Sequence, residues 1–392
     1  MPLRSVLRTP SDHGHYRVTY VELLFDLVFV FAMTQLSHLL IEHFSLAATG
    51  QALLMLLAVW WVWIFTTWVT NWIDPERLPV RAMLLVLTIV GLLLSAAIPQ
   101  AFHSRGLVFA GAYVFMQVGR TAFVVWAVRR ENSRMVLSFQ RILAWFALAG
   151  VFWIAGGLAE GSTRWGLWVL ALALEFSSPS VGFWVPGLGR SATKDWNVEG
   201  GHMAERCGLF VMIALGESVV VTGATFAGLE WTNATIAAFL TSLLGSIAMW
   251  WLYFATTADA GSERGLHFAE SGAACTTYTY IHSLLVAGIV VSAVGNEFTL
   301  AHPAGDTDAK TAIAVLGGAA IYLAGNLLFK WTIVRKISYS HLASIAALGA
   351  VAFAADYLTP LIMMTTTSLV LVLLVVVEER SLPKASPPHA RT

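Results

Sequence analysis

The stretch Tyr20-Val-Glu-Leu-Leu-Phe-Asp-Leu-Val-Phe-Val-Phe-Ala-Met-Thr-Gln-Leu-Ser-His38 is almost entirely apolar, yet it contains two acidic residues. A helix rises about 1.5 Å per residue and needs about 20 apolar residues to cross the ~30 Å hydrocarbon core of a bilayer. The stretch therefore predicts a first membrane span. Because each residue turns the helix by about 100°, Glu22 and Asp26 are expected to lie on one face of that span.

This carboxylate pair needs partners. Two carboxylates four residues apart repel each other, and burial penalises each charge further. We expect that one is protonated or that both are held by a base, with Arg17, Arg81 and Arg206 as the candidates. Two interpretations stay open. The acids either lie at the membrane surface near the helix N-terminus, or form a buried polar cluster that binds an ion, a proton or a substrate headgroup.

Composition indicates a polytopic membrane protein, since 57% of the 392 residues are hydrophobic and 12% are charged. The formal net charge is zero, which gives no indication of a nucleic-acid partner. Both cysteines lie in apolar runs, where a disulfide framework or a cysteine metal site is not expected. The N-terminus shows no pattern of a cleaved signal peptide.

Twelve apolar runs predict an all-α polytopic membrane protein with about twelve transmembrane helices. If the N-terminus is cytoplasmic, 19 of the 23 Lys and Arg residues fall in cytoplasmic segments, three fall outside and Arg120 lies within a span. This asymmetry predicts that both termini are cytoplasmic. The runs cover residues 20–43, 50–72, 80–101, 107–128, 138–158, 165–181, 205–227, 236–257, 273–297, 311–332, 341–358 and 360–378.

The two halves of the chain also resemble each other. Four pairs of segments match in the same order: 21–22 with 204–205, 60–67 with 250–257, 90–96 with 287–293, and 119–130 with 325–336. An even number of spans in each half gives two parallel six-helix repeats, related by an axis along the membrane normal.

The predicted organisation is a single two-lobed domain with polar ends. The segment after residue 379 is rich in proline and polar residues, which predicts disorder. The predicted parts are a cytoplasmic N-terminal segment (1–19), a first repeat (20–182), a central linker (183–203), a second repeat (204–379) and a disordered cytoplasmic tail (380–392).

Three segments carry a family resemblance: Glu22-Leu-Leu-Phe-Asp-Leu-Val-Phe-Val-Phe-Ala-Met-Thr-Gln-Leu-Ser37, His202-Met-Ala-Glu-Arg-Cys-Gly-Leu-Phe-Val-Met-Ile-Ala-Leu-Gly-Glu-Ser218 and the pair Trp250-Trp251. They resemble the bacterial low temperature requirement A (LtrA) family, and the resemblance covers nearly the whole chain. It implies a multi-span protein of the bacterial cytoplasmic membrane, named for a cold-growth phenotype. It implies no reaction and no catalytic residues.

Charged residues inside spans are candidates for function, because each costs about 2.5–3.5 kcal/mol at a helix centre. Glu217, near the middle of the seventh span, is the best single candidate, and a simple hydrogen bond to Ser218 is the alternative. Arg120 is expected to pair with Glu217 or Asp26, either as a structural clamp or to bind substrate.

The second half lacks the paired acids. Glu205 and Arg206 open the seventh span much as Glu22 opens the first, but Leu209 takes the place of Asp26. We therefore expect an asymmetric site for a substrate or a proton near the interface of the halves. Its candidate residues are Glu22, Asp26, Arg120, Glu205, Arg206 and Glu217.

Tryptophans near the middle of two spans are the aromatic candidates: Trp60, Trp61, Trp250 and Trp251. An aromatic wall beside buried acids could stabilise a cation by ~2 kcal/mol or more when desolvated. Packing against lipid is the alternative.

Other site chemistry is not favoured by the sequence. His202 and Glu205 lack a second metal ligand at a standard spacing, so no metal is assigned. No glycine-rich phosphate loop or nucleophile elbow is present, and we assign no cofactor. Pro179 follows Glu175 closely and can break the sixth span beside an acid, where a cation could bind, although a plain helix end gives the same pattern.

These features favour a secondary transporter or an ion or proton pathway, because duplicated halves around buried titratable residues suit alternating access. The alternative is an integral membrane enzyme that acts on a lipidic or isoprenoid substrate, with Asp26 or Glu217 as general acid. A membrane-organising or sensory protein without turnover is a third possibility. The expected partners are the lipid bilayer and a small ion or an apolar small molecule.

Overall fold

The computed structural model describes residues 5–8, 17–191, 200–260 and 277–381, and these ranges are all-α apart from two isolated β-bridges. The predicted tail beyond residue 381 and linker residues 192–199 lie outside the described residues. The helices are α1 Tyr20–Glu42, α2 Leu46–Trp72, α3 Leu78–Ala97, α4 Gly106–Val128, α5 Ser133–Leu158, α6 Gly161–Ser177, α7 Gly200–Gly228, α8 Asn233–Ala260, α9 His282–Ala301, α10 Ala309–Val334, α11 Tyr339–Phe353 and α12 Pro360–Ser381.

In the described ranges, ten of these helices are long and apolar enough to cross a membrane. The other two, α6 and α11, have only 17 and 15 residues, fewer than the roughly 20 that a perpendicular span needs. The all-α membrane class is confirmed, but twelve membrane spans are not.

Several helices begin at residues whose side chains satisfy free backbone N–H groups. Thr19 and Glu22 form a capping box at α1, where the backbone N–H of Thr19 donates to Glu22 Oε2 at 2.9 Å. Ser45, Asn132 and Asp308 accept from the backbone N–H groups of α2, α5 and α10.

Helix contacts divide the bundle into two groups that meet at α1, α2, α7 and α9. In the first group, α1 packs on α2 and α3, and in the second, α7 packs on α8 and α9. Buried apolar side chains form two clusters, a large one centred on α1 to α6 and a smaller one within α7 to α12. The contact of α1 and α2 with α7 therefore places the N-terminal acids at the boundary between the groups.

The central element is α2, which has the largest buried share of any candidate span, 83%. By contrast, only 39% of the corresponding window of α12 is buried. The large apolar side chains that stay exposed on the outer helices suit contact with lipid acyl chains. A second special feature is the π-helical turn Phe115–Gly119 within α4. Such turns re-aim side chains, and here one positions Gln117.

Candidate functional site

A buried charge cluster joins the start of α1 to the start of α7. Arg206 donates from Nη1 to Glu22 Oε1 at 2.8 Å and from Nη2 to Asp26 Oδ1 at 2.6 Å. All three side chains are completely buried. One guanidinium fork thus holds both carboxylates, as expected for buried acids. Of the three candidate bases only Arg206 makes this contact, because Arg17 and Arg81 are exposed.

Glu22 is surrounded by further donors. His202 Nε2 lies 3.1 Å from its Oε1, and Arg8 Nη2 lies 3.5 Å from its Oε2. The backbone N–H and the hydroxyl of Thr19 each donate to Oε2 at 2.9 Å. We call Arg8, Glu22, Asp26, His202 and Arg206 the acid–arginine cluster. If His202 is neutral, two carboxylates and two guanidinium groups balance in charge.

Asp26 is bonded on one oxygen only. Its Oδ1 accepts from Arg206 and from Trp63 Nε1, the latter at 2.7 Å. Its Oδ2 is buried and accepts no hydrogen bond from the residues that the structure describes. The Arg206 guanidinium lies 5.8 Å from the Trp63 ring centroid, and Phe210 packs on the same ring. A proton on Oδ2 would convert this orphan acceptor into a hydroxyl without displacing either donor.

Arg120 does not belong to this cluster. Its Nη1 donates to Val62 O at 3.1 Å and to Thr66 Oγ1 at 3.0 Å, and its Nη2 donates to Gln117 Oε1 at 2.5 Å. The predicted pairing with Glu217 or Asp26 is wrong. The reason is position, because α4 packs on α3 and α5 and the π turn brings Gln117 to the guanidinium.

A second buried network, which we call the α4 cluster, consists of Tyr113, Gln117, Arg120, Trp153 and Glu175. Glu175 accepts from the Tyr113 hydroxyl and, at 3.2 Å, from Trp153 Nε1. Gln117 Nε2 lies 3.3 Å from that hydroxyl and so links it to Arg120. The carboxylate of Glu175 therefore accepts hydrogen bonds from neutral donors and is not a free carboxylate beside a broken helix.

The remaining two acidic candidates lie apart. Glu217 is half-buried and accepts a hydrogen bond from the hydroxyl of Thr34 rather than lying beside Arg120. Glu205 is exposed, because a step of one residue along α7 rotates it away from Arg206. Of the six predicted site residues, the structure brings together Glu22, Asp26 and Arg206.

The four predicted wall tryptophans do not form one surface. Trp60 and Trp61 are buried, and Trp60 Nε1 donates to Thr279 O at 2.6 Å. Trp250 and Trp251 are 40% and 44% exposed, and Trp251 Nε1 donates to Glu379 Oε1 at 2.6 Å. The difference arises because α2 is central, whereas one face of α8 is left uncovered by its neighbours.

Sequence reasoning missed two members of the acid–arginine cluster. Arg8 lies in the polar N-terminal segment and His202 at the end of the predicted linker, so neither stood within a predicted span. His202 did occur in the segment that carries the family resemblance, and this was the available signal. Within the described ranges, no group of three or more His, Cys, Asp or Glu side chains is arranged to hold a metal ion. His267 and Glu270, which have the same spacing as His202 and Glu205, lie outside the described residues.

Sequence comparison shows which known proteins the chain is similar to. The family model described as bacterial low temperature requirement A protein (LtrA) matches residues 17–376. An uncharacterized protein of Rhizobium meliloti (strain 1021) is 41% identical over 362 residues, which cover 89% of this chain and 87% of that protein. No solved structure matches the chain.

Proposed function

The chain belongs to the bacterial low temperature requirement A family, and we propose that this multi-pass membrane protein is a secondary transporter or ion pathway that uses the acid–arginine cluster as its proton site. The observation that carries the proposal is the shared guanidinium of Arg206. It holds Glu22 and Asp26 on α1 from α7, across the boundary between the two helix groups.

In this geometry, protonation of Asp26 would weaken the contact between α1 and α7. Protonation of Asp26 would remove one of the two charges that hold Arg206, and with it part of the attraction between α1 and α7. Arg206 would stay paired with Glu22, so the loss is smaller than the roughly 3–5 kcal/mol that an unpaired buried charge costs. A difference of about 1.4 kcal/mol already changes the equilibrium between two helix arrangements tenfold. The orphan Oδ2 of Asp26 is the atom that would receive the proton.

The arrangement of the helices is consistent with two related lobes. Neighbour pairs recur in both halves, since α3–α4, α4–α5 and α5–α6 correspond to α9–α10, α10–α11 and α11–α12. We propose that these are two parallel six-helix repeats with both termini in the cytoplasm, as the distribution of Lys and Arg predicts. The cluster would then lie at the cytoplasmic end of the boundary between the lobes.

Transport is favoured over lipid chemistry. A general acid must reach its substrate. Of the two candidates, Asp26 is completely buried by protein, and the half-buried Glu217 accepts a hydrogen bond from Thr34. In the enzyme alternative, Trp250 and Trp251 would help to line an apolar pocket beside the acids, but both are exposed on the outer surface of the bundle.

The test is proton flux in liposomes that contain the purified full-length protein and a pH-sensitive dye. Under an imposed gradient we expect wild-type flux, a loss of about tenfold or more for Asp26→Asn, and wild-type flux for Glu205→Gln. Glu205 is the matched control because it is an exposed acid on the same helix as Arg206. If wild-type protein moves no proton, ion or organic solute under any gradient, the proposal is wrong.

A further inference from the structure

A hydroxyl-lined cavity lies among α7, α8, α9, α10 and α12, and its lining includes no member of the acid–arginine cluster. Its volume of about 20 Å³ gives room for about one water molecule or one small ion. The polar side chains around it are neutral and come from four helices. Six of them are Ser218, Ser242, Ser246, Asn296, Thr367 and Ser368.

The side chains that line the cavity offer a ligand more hydrogen-bond acceptors than donors. The hydroxyl groups of Ser246, Thr367 and Ser368 donate to helix carbonyl oxygens at 3.2, 2.9 and 2.8 Å. Each hydroxyl has one proton and two lone pairs, so their oxygens remain available as acceptors. The amide nitrogen of Asn296 lies 3.4 Å from Thr222 Oγ1, which leaves its carbonyl oxygen as a further acceptor.

Two hydroxyl oxygens at the cavity lack protein partners. Ser242 is 1% exposed, and its Oγ makes no hydrogen bond with any residue that the structure describes. The buried Oγ of Ser292, which also lines the cavity, is in the same situation. Buried polar groups are normally satisfied, so these oxygens point to a ligand in the cavity.

The oxygens are held by close helix packing. A Cβ at Gly245 would lie 2.9 Å from Ser368 Oγ, and a Cβ at Gly318 would lie 2.6 Å from Ser292 Oγ. Both glycines therefore allow a facing helix to bring its hydroxyl close. A site built on helix backbones in this way has a fixed size.

Charge decides the class of ligand. No carboxylate lines the cavity among the described residues. Glu217 and Glu297 are chain neighbours of lining residues, but their carboxylates accept from Thr34 and Thr225 instead. Divalent cations in proteins are usually held by carboxylates, whereas neutral oxygens suffice for a single positive charge.

We propose that this cavity binds one Na⁺ ion through the oxygens of Ser242, Ser246, Ser292, Asn296, Thr367 and Ser368. A hard monovalent cation needs only oxygen acceptors, which the lining supplies, and the small volume excludes an organic cation. The inference concerns binding alone. It goes beyond the proposed proton site and does not depend on transport.

The experiment follows the melting temperature of the purified full-length protein in detergent by its tryptophan fluorescence. NaCl replaces choline chloride at constant ionic strength, and KCl is titrated in parallel. A ligand that binds only the folded state raises the melting temperature. We expect a saturable rise with Na⁺ and a smaller one with K⁺.

Two variants locate the ion. Ser242→Ala and Thr367→Val should each weaken the apparent Na⁺ affinity by about tenfold or more. Thr366→Val is the matched control, because the Thr366 hydroxyl also donates to the carbonyl one turn earlier, at 2.8 Å, but does not line the cavity. It should keep wild-type Na⁺ affinity.

Three outcomes would overturn the proposal. The absence of a Na⁺-dependent rise in wild-type protein would mean that the cavity holds an ordered water only. An unchanged Na⁺ response in both variants would place the ion elsewhere. If Ser242→Ala fails to fold, Thr367→Val decides alone, and its wild-type affinity would be sufficient to reject the site.

Discussion

Helix pairs in the two halves associate through different contacts. In the second half, α9 approaches α10 so closely that a Cβ at Gly288 would lie 2.5 Å from the backbone nitrogen of Tyr322. In the first half, the atoms nearest to a Cβ at Gly91 of α3 would be side-chain atoms of Val28 and Met116, at 3.2 and 3.3 Å. Gly91 and Gly288 lie at matched positions in the sequence, yet the first contacts side chains and the second contacts the backbone of the facing helix.

The first half depends more on buried guanidinium groups. Arg164 is buried and donates to four helix-end carbonyl oxygens at 2.8 to 3.1 Å, those of Ala101, His103, Gly156 and Ala159. Arg120 likewise lies between the rings of Phe65 and Phe146, 5.8 Å from each centroid. Buried arginines thus join helices of the first half by charge-assisted bonds, whereas α9 and α10 of the second half meet by close backbone contact at Gly288 and Gly295. Different substitutions should therefore disrupt each half.

The largest effect is expected at the boundary between them. Arg206→Met leaves two buried carboxylates without their common partner and should lower the free energy of unfolding by about 3–5 kcal/mol. Unfolding by sodium dodecyl sulfate in mixed micelles measures this change. Arg81→Met, at an exposed arginine, should change the free energy by less than about 0.5 kcal/mol.

A charge-balanced version of the cluster sharpens this result. Combining Arg206→Met with Asp26→Asn removes one charge of each sign and leaves Glu22 beside Arg8. It should restore part of the lost stability, because unpaired buried charge causes most of the loss. Equal stabilities of Arg206→Met and Arg81→Met would contradict a buried cluster at this position.

The next effect concerns Arg120 and the residue at the matched position, Asn326. Arg120→Asn removes donors to Gln117, Thr66 and a backbone carbonyl, and should cost about 1.5–3 kcal/mol. Asn326→Ala removes one acceptor, 3.0 Å from His341 Nε2, and should cost about 1 kcal/mol. The same unfolding titration compares the two, and a larger loss at Asn326 would reverse the proposed difference between the halves.

Close packing gives a third test. Gly288→Ala places a methyl group against the backbone of α10, which cannot move aside, and should cost about 1–3 kcal/mol or more. Gly91→Ala meets flexible side-chain ends and should cost less than about 1 kcal/mol. Thermal unfolding of the pair measures the contrast, and similar losses would show that the two contacts are equally tight.

Much of the fold was predictable because membrane spans follow from local composition. The predicted first span, 20–43, agrees closely with α1, Tyr20–Glu42. The sixth predicted run, 165–181, already had only 17 residues, the length that α6 has. The end of α11 at Phe353 was not predictable, since hydropathy does not show where a helix breaks. Arg206 was one of three candidate partners for the two carboxylates, and only the packing of the helices shows which arginine makes the contact.

The rest of the site depends on tertiary order. Arg8 and His202 contact Glu22 from separate segments of the chain, and no local sequence pattern predicts these contacts. Glu205 and Arg206 are adjacent in sequence, yet one is exposed and the other completely buried. Their environments differ because the neighbours of α7 cover only one of its faces.

The smallest expected effect tests the tryptophans that share a sequence pattern but not an environment. Trp61 is completely buried and stacks on Phe176 with ring centroids 4.1 Å apart, so Trp61→Phe should leave a cavity and cost about 1–2 kcal/mol. Trp251 is 44% exposed, and its hydrogen bond to Glu379 lies at an exposed site. Trp251→Phe should therefore change the free energy of unfolding by about 0.5 kcal/mol or less. If the two variants lose equal stability, α8 must be covered by protein in the membrane as α2 is, and the contrast between the halves would not extend to their aromatic residues.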